Sequence, residues 1–378
     1  MKKIWVIAAL LPFLFLPAFS QQHLNTNIAK WEPKFEFDNE LYPSFVLTLS
    51  GPRSNIKLPE EFFGDPAGFA EVWIVSATPN AKVHVDINID GWATPSELDA
   101  TLPKVGKRYR LCPFIRYDFV QLARTNQSYP ATIRYAVSVN GVDLGWDLLP
   151  IRIRSVNDVP FYAETSLEGE AGDLGVIFAG FVNESHPVVQ EILQEALRSK
   201  IVESFVGYGE ESKFVGYQVL AIWNALQKRR VRYSNAVTPS AASPSGKVYS
   251  QAVRFIDESI DSQQANCVDG SVLFASVLYK IGIDPLLIIK PGHMFVGYWL
   301  DEGHSQLEVI ETTMLGEGPQ PRSRKESAAQ LVRAIQYATE VFNKEVQPAL
   351  EQNKIGYLAV DVSEARKAGI NSIPRPGR

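Results

Sequence analysis

Apolar and polar residues alternate with a period of two in several short runs between Phe45 and about Ser155. In the clearest, Val83, Val85, Ile87 and Ile89 interleave with Lys82, His84, Asp86 and Asn88, the pattern of a strand with one buried face and one wet face. Ile133, Tyr135, Val137 and Val139 repeat it, and Asn140-Gly141 then supplies two residues that tolerate the positive φ of a tight hairpin turn. Ile151 and Ile153 against Arg152 and Arg154 continue the return strand. With turn signals at Pro79-Asn80 and Asp90-Gly91, residues 21–160 read as an all-β, sandwich-like domain. The Asp-, Glu- and Gly-rich stretch around Glu168-Gly169-Glu170 then marks a linker at 161–175.

Past the linker the period becomes helical. Pro187 suits a first helical turn, and Val188, Val189, Ile192, Leu193, Ala196 and Leu197 form one stripe, while Val219, Ile222, Trp223 and Leu226 mark a second helix. Ser234 to Gly246 reads as a surface loop, with a mobile lid as the alternative. Val268 to Ile281 is an apolar helix closed by Gly282, and strands are expected at Leu286–Lys290, His293–Leu300 and Leu307–Thr313. A long helix is predicted from about Ser327 to Asn353, then a short strand around Tyr357 to Val360 and a frayed tail from Ile373. The expected organisation is therefore an α+β domain at 176–320 with a C-terminal helical extension at 321–378.

Composition narrows the class. The chain has 378 residues, 46% hydrophobic and 21% charged, values that suit two or three packed domains and exclude a disordered chain. Lys2 and Lys3, the apolar run from Ile4 to Leu16 and the small-residue site Ala18-Phe19-Ser20 have the pattern of a secretory leader over residues 1–20. The expected location is periplasmic or extracellular, and no later segment is long and apolar enough to span a bilayer. A formal net charge of −5, more acidic still without Lys2 and Lys3, argues against a nucleic-acid partner. Two cysteines allow at most one bridge, which excludes a disulfide-stapled scaffold.

One short block concentrates reactive side chains. Cys267 stands at the start of the apolar helix, where unpaired N–H groups favour a thiolate. His293 follows Pro291-Gly292 and shares strand parity with Phe295, Gly297 and Trp299; Glu311 shares parity with Leu307 and Val309, and Glu308 points the other way. If those two faces both look at the Cys267 helix, the imidazole bridges thiol and carboxylate. His84, His186 and His304 read as structural or solvated, and Asp301 and Glu302 lie in a turn. Cys112 reads as buried at a strand end, although a Cys112–Cys267 bridge is possible on count alone. No zinc-ligand spacing and no glycine-rich phosphate loop is present, so no metal or cofactor is expected.

The block Asn266-Cys267-Val268-Asp269-Gly270-Ser271, with Gly292-His293-Met294-Phe295 and Glu311-Thr312-Thr313, resembles the transglutaminase-like superfamily. The resemblance covers about Gln251 to Thr313. It implies a papain-like core with Cys267 as nucleophile, His293 as general base and acid, and Glu311 as orienting carboxylate where the family usually carries Asp. Gln251 and Gln264, with the adjoining Gln263, are candidate side-chain donors to an oxyanion beside the backbone N–H of Cys267. The expectation is an exported cysteine enzyme acting on peptide or carboxamide bonds of a protein or peptide substrate through an acyl-thioester, with hydrolysis favoured over transamidation. The alternative is a non-catalytic scaffold whose sandwich binds a protein or glycan through exposed aromatics such as Trp73, Trp92 and Trp146.

Overall fold

The structure, a computed structural model, describes residues 27–51, 58–164, 171–208, 213–235, 240–318 and 323–375. The expected leader lies outside these residues, as do 165–170 of the expected linker and 236–239 of the expected loop. The architecture is mixed α+β, with about 34% helix, 33% strand and several separate sheets.

The first half holds strands β1 (Ala29–Phe35), β2 (Glu40–Leu41), β3 (Phe62–Gly64), β4 (Ala70–Ser76), β5 (Ala81–Ile89), β6 (Ser96–Leu102), β7 (Arg108–Cys112), β8 (Tyr129–Val139) and β9 (Val142–Ile153). They form a four-stranded sheet ordered β1-β4-β7-β3 and a five-stranded sheet ordered β2-β9-β8-β5-β6. The period-two pattern is realised directly: Val83, Val85, Ile87 and Ile89 are buried, in one cluster with Ile74 and Tyr109 of the other sheet. The Tyr135 hydroxyl crosses between the sheets to donate to the Lys34 carbonyl at 3.0 Å. Asn140 and Gly141 take φ of 52° and 77°, the left-handed pair that lets the β8–β9 turn follow the strand twist. The region is not purely β, because α1 (Pro43–Thr48) and α2 (Phe119–Arg124) interrupt it. Pro43 fits a first helical turn, and the Asp118 side chain caps α2 by accepting from the Gln121 N–H.

Two of the expected boundaries change. The stretch read as a linker supplies β10 (Asp158–Glu164) and β11 (Ala171–Asp173), which join β12 (Ser240–Ala242) and β13 (Val248–Ala252) in a sheet ordered β11-β10-β13-β12. Its acidic and glycine content signals a turn, but Val159 and Ala163 point inward and are fully buried. Helices α3 (Pro187–Arg198), α4 (Lys213–Lys228), α5 (Ile256–Ser262) and α6 (Cys267–Lys280) belong with the second half.

The C-terminal segment is no appended extension. Strands β14 (Pro285–Lys290), β15 (His293–Trp299) and β16 (Leu307–Ile310) are completed by β17 (Leu358–Asp361), in the order β16-β15-β14-β17. Helix α6 covers one face of this sheet, where Leu287, Met294, Val296 and Ile310 share its cluster with Val272 and Leu273. Helix α7 (Arg324–Val341) covers the other, where Leu286, Ile288, Phe295 and Val309 pack with Ala338 and Val346. Helix α8 (Val362–Lys367) follows β17. Of the tail expected to fray, the described part is docked: the Ile373 N–H donates to the Gly180 carbonyl at 2.8 Å, its side chain is 1% exposed, and Arg375 bonds Glu258 at 2.8 Å, while 376–378 lie outside the described residues. Among the described residues no helix is long and apolar enough to cross a membrane.

Docking of the tail is measurable. Ile373→Ala removes a buried side chain and is expected to cost about 2–4 kcal/mol of unfolding free energy, read as a lower denaturant midpoint at unchanged slope. An unchanged midpoint would show that the tail does not hold the fold.

Candidate active site

Helix α6 begins at Cys267 because the residues on either side satisfy its free N–H groups. The Asn266 side chain accepts from the N–H groups of Val268 and Asp269, both at 2.9 Å, and Asp269 Oδ2 accepts from the Asn266 N–H at 3.0 Å. Asp269 is fully buried, so its charge needs more than a cap. Arg254 provides it: the backbone N–H reaches Oδ1 and the guanidinium reaches Oδ2, each at 2.8 Å. Burial is the largest influence on Asp269 and pushes its carboxyl up, against the opposing bonds from Asn266 and Arg254. The residues before and after Cys267 are thus clamped from inside.

His293 is the first residue of β15 and Glu311 the first beyond β16. His293 Nε2 lies 2.7 Å from Glu311 Oε2. The other carboxylate oxygen accepts from the Thr313 N–H at 3.0 Å and the Thr313 hydroxyl at 2.6 Å, and Glu311 is 2% exposed. The Cys267 side chain lines the same cavity as His293 and acts on its imidazole. With Nε2 held by the carboxylate, Nδ1 is the ring nitrogen left for the sulfur. Burial opposes protonation of His293, but the influence of Cys267, the bond to Glu311 and the carboxylate charge outweigh it and push the imidazole up to about 9. Burial likewise opposes ionisation of Glu311, and the bonds from His293 and Thr313 overcome it, holding the carboxyl below its ordinary value.

Strand parity alone does not bring these groups together. The face carrying Phe295 and Val309 packs on α7, not on the Cys267 helix. The three side chains meet because His293 and Glu311 both sit at strand ends, where the chain leaves the sheet. Gly292, at φ 73°, makes the turn into β15 that a residue with a Cβ would resist. Glu308 faces away from His293, as expected of its position, and accepts from the Tyr298 hydroxyl.

Cys267 and His293 line one cavity of about 230 Å³ together with Asn266, Gln251, Tyr233 and Phe178. Of the proposed oxyanion donors Gln251 is in this lining, with its amide donating to the Ala252 carbonyl at 3.0 Å. Gln264 pairs in a two-residue strand with Arg232 and lies outside the cavity lining, and the Gln263 amide is turned to the Arg229 carbonyl. Cys112 and Cys267 are free thiols, so the bridge allowed by their number is not formed. Cys112 is buried and donates to the Ala70 carbonyl, and burial pushes its thiol up. His304 bonds Asp284 at 2.9 Å with its ring stacked on Trp299, and the His186 side chain caps α3.

One possible cation set escaped the spacing rules. Cross-strand pairing sets His84 opposite Asp99 and Asp86 opposite Glu97, and His84, Asp86 and Glu97 bring one ligand atom each within 4.8 Å of one another. These residues lie on β5 and β6, away from the Cys267 cavity lining, and His84 is already bonded to Asp99 at 2.9 Å. The clamp on Cys267 also went unassigned, although Asn266-x-x-Asp269 is a capping-box spacing that sequence alone displays. Arg254 and Thr313 carried no comparable signal. No protein-family model matches the chain, and no curated protein matches it.

Two outcomes test the electrostatics. In wild-type protein the His293 imidazole, followed by NMR, is expected to titrate near pH 9, and in Glu311→Gln at a lower pH. Because the folded value lies above the ordinary 6.5, the stability this contact supplies is fully present below about pH 6.5 and is lost as pH rises through about 9. Asp269→Ala leaves the half-buried Arg254 without its carboxylate and removes the cap of α6, and is expected to cost about 3 kcal/mol, measured by denaturant unfolding.

Proposed function

We propose that the protein is an exported cysteine acyl-transfer enzyme of the transglutaminase-like class, acting on peptide or carboxamide bonds. In this reading the first half is a β-sandwich and the second half a papain-like core. The observation that carries it is the arrangement itself: a cysteine at a helix start, a histidine lining the same cavity, and a buried glutamate 2.7 Å from Nε2 of that histidine. A packed, inert cysteine needs no such partner, whereas nucleophilic catalysis needs a base held in one orientation.

In the proposed reaction the Cys267 proton resides on His293 before attack, since the imidazole keeps its proton up to about pH 9, and the sulfur attacks the substrate carbonyl as a thiolate. The new C–S bond leaves a tetrahedral oxyanion, which the backbone N–H of Cys267 is placed to stabilise. Collapse of this intermediate breaks the C–N bond, and the imidazolium gives its proton to the departing amine, leaving an acyl-thioester. Water then enters, gives its proton to the now neutral His293, and attacks the same carbon, so that the carboxylic acid leaves and the thiolate and imidazolium are restored. An amine in place of water would give transamidation. Glu311 acts by holding the ring and stabilising the imidazolium.

The scaffold alternative rests on free aromatic surface in the first half, and its three candidates are engaged within the chain. Trp73 is covered by Arg108 at 3.7 Å and Lys34 at 4.9 Å, Trp92 packs on Tyr129, and Arg134 lies over Trp146.

Alkylation by iodoacetamide, read by peptide mass spectrometry with Cys112 as internal control, tests the arrangement. Cys267 in wild-type protein is expected to label rapidly at neutral pH while buried Cys112 does not, and His293→Ala is expected to slow Cys267 about tenfold or more. Turnover of amide substrates should fall about a hundredfold or more in the same variant. Equal labelling of Cys267 in both proteins would remove the basis for the enzyme.

A further inference from the structure

A second, larger cavity of about 500 Å³ adjoins the one at Cys267, and the two share Phe161, Phe178, Ile289, Lys290 and Gly292 in their walls. The feature that builds the larger cavity is an irregularity in β10. Adjacent strand residues normally face opposite sides, yet Phe161 and Tyr162 both line it. The register of β10 against β13 slips between Pro160 and Tyr162, and such a bulge re-aims a side chain beside a site.

The result is a run of rings. Phe161 stacks on Phe178 at 6.4 Å and lies 6.5 Å from Tyr249, which meets Tyr162 edge-on at 6.0 Å. Two charged groups in the wall are already occupied. Lys290 pairs with Glu345 at 2.6 Å, and Asp173 accepts from the N–H groups of Gly175 at 3.0 Å and Gly356 at 3.1 Å. Glu164 belongs to the larger cavity alone, is exposed, and disfavours an acidic group there.

We infer that this second cavity is a side-chain subsite of the proposed enzyme, and that the substrate is a peptide with a large apolar or aromatic residue next to the reacting carbonyl. The aromatic wall gives up water to such a side chain and meets it edge or face on, while the walls shared with the Cys267 cavity keep the neighbouring carbonyl close to the sulfur. The inference rests on the catalytic reading above but concerns different residues.

Two measurements separate them. Fluorogenic peptide amides differing only in the residue at the reacting carbonyl are compared by kcat/KM, with phenylalanine or leucine expected to exceed glycine and glutamate about tenfold or more. Tyr249→Ala should erase most of this preference through KM, and Tyr249→Phe should keep it. In parallel, binding of N-acetyl-phenylalanine amide and N-acetyl-glycine amide to Cys267→Ser protein is followed by NMR, with the aromatic amide expected to bind about tenfold tighter. Turnover without preference, or equal binding of the two amides, overturns the subsite. Ranked binding in a protein whose wild type turns over no amide overturns the catalytic reading and leaves the subsite standing.

Discussion

The buried carboxylate of Asp269 is the interaction on which the site depends. It lies inside the protein with no exposure, ties the Asn266 backbone to the first turn of α6, and is matched by both the backbone and the guanidinium of Arg254. A charge in such a place is tolerated only when its partners are fixed. That condition fixes the segment before α5 against the start of α6 as well. The sulfur of Cys267 therefore occupies a defined position before any partner reaches it, and the imidazole need only be aimed.

The aiming comes from a different part of the chain. Glu311 is held on one oxygen by Thr313 and on its backbone by the carbonyl of Ala334 in α7, so its free oxygen meets His293 from a rigid frame. The opposed pKa directions of the two groups follow from one contact, since the carboxylate and the imidazolium each stabilise the charged form of the other. Burial works against both charges and makes their pairing more consequential than it would be in water.

Local pattern made much of the second half legible: the apolar helix after Asn266 and the two strands after Gly292 follow from periodicity and turn chemistry, and the order of Cys267, His293 and Glu311 along that block singled them out. The geometric reason for their meeting did not. Parity extrapolated along β15 and β16 points His293 and Glu311 at α7, yet His293 lines the Cys267 cavity and meets Glu311 at the strand ends. Long-range pairing was equally invisible. The stretch read as a linker looks like one because its acidic and glycine-rich composition hides the strands that flank it. Residues such as Arg254, which acquires its role from a carboxylate in the next helix, have no local signature at all.

Strand β17 completes the sheet of His293 although it comes long after that residue in the chain, and the backbone of Ile373 then fastens to Gly180. Pairings this distant in sequence form late. Until β17 arrives, β14 has an open edge. A chain cut short before Leu358 therefore carries His293 on a sheet that lacks one of its four strands.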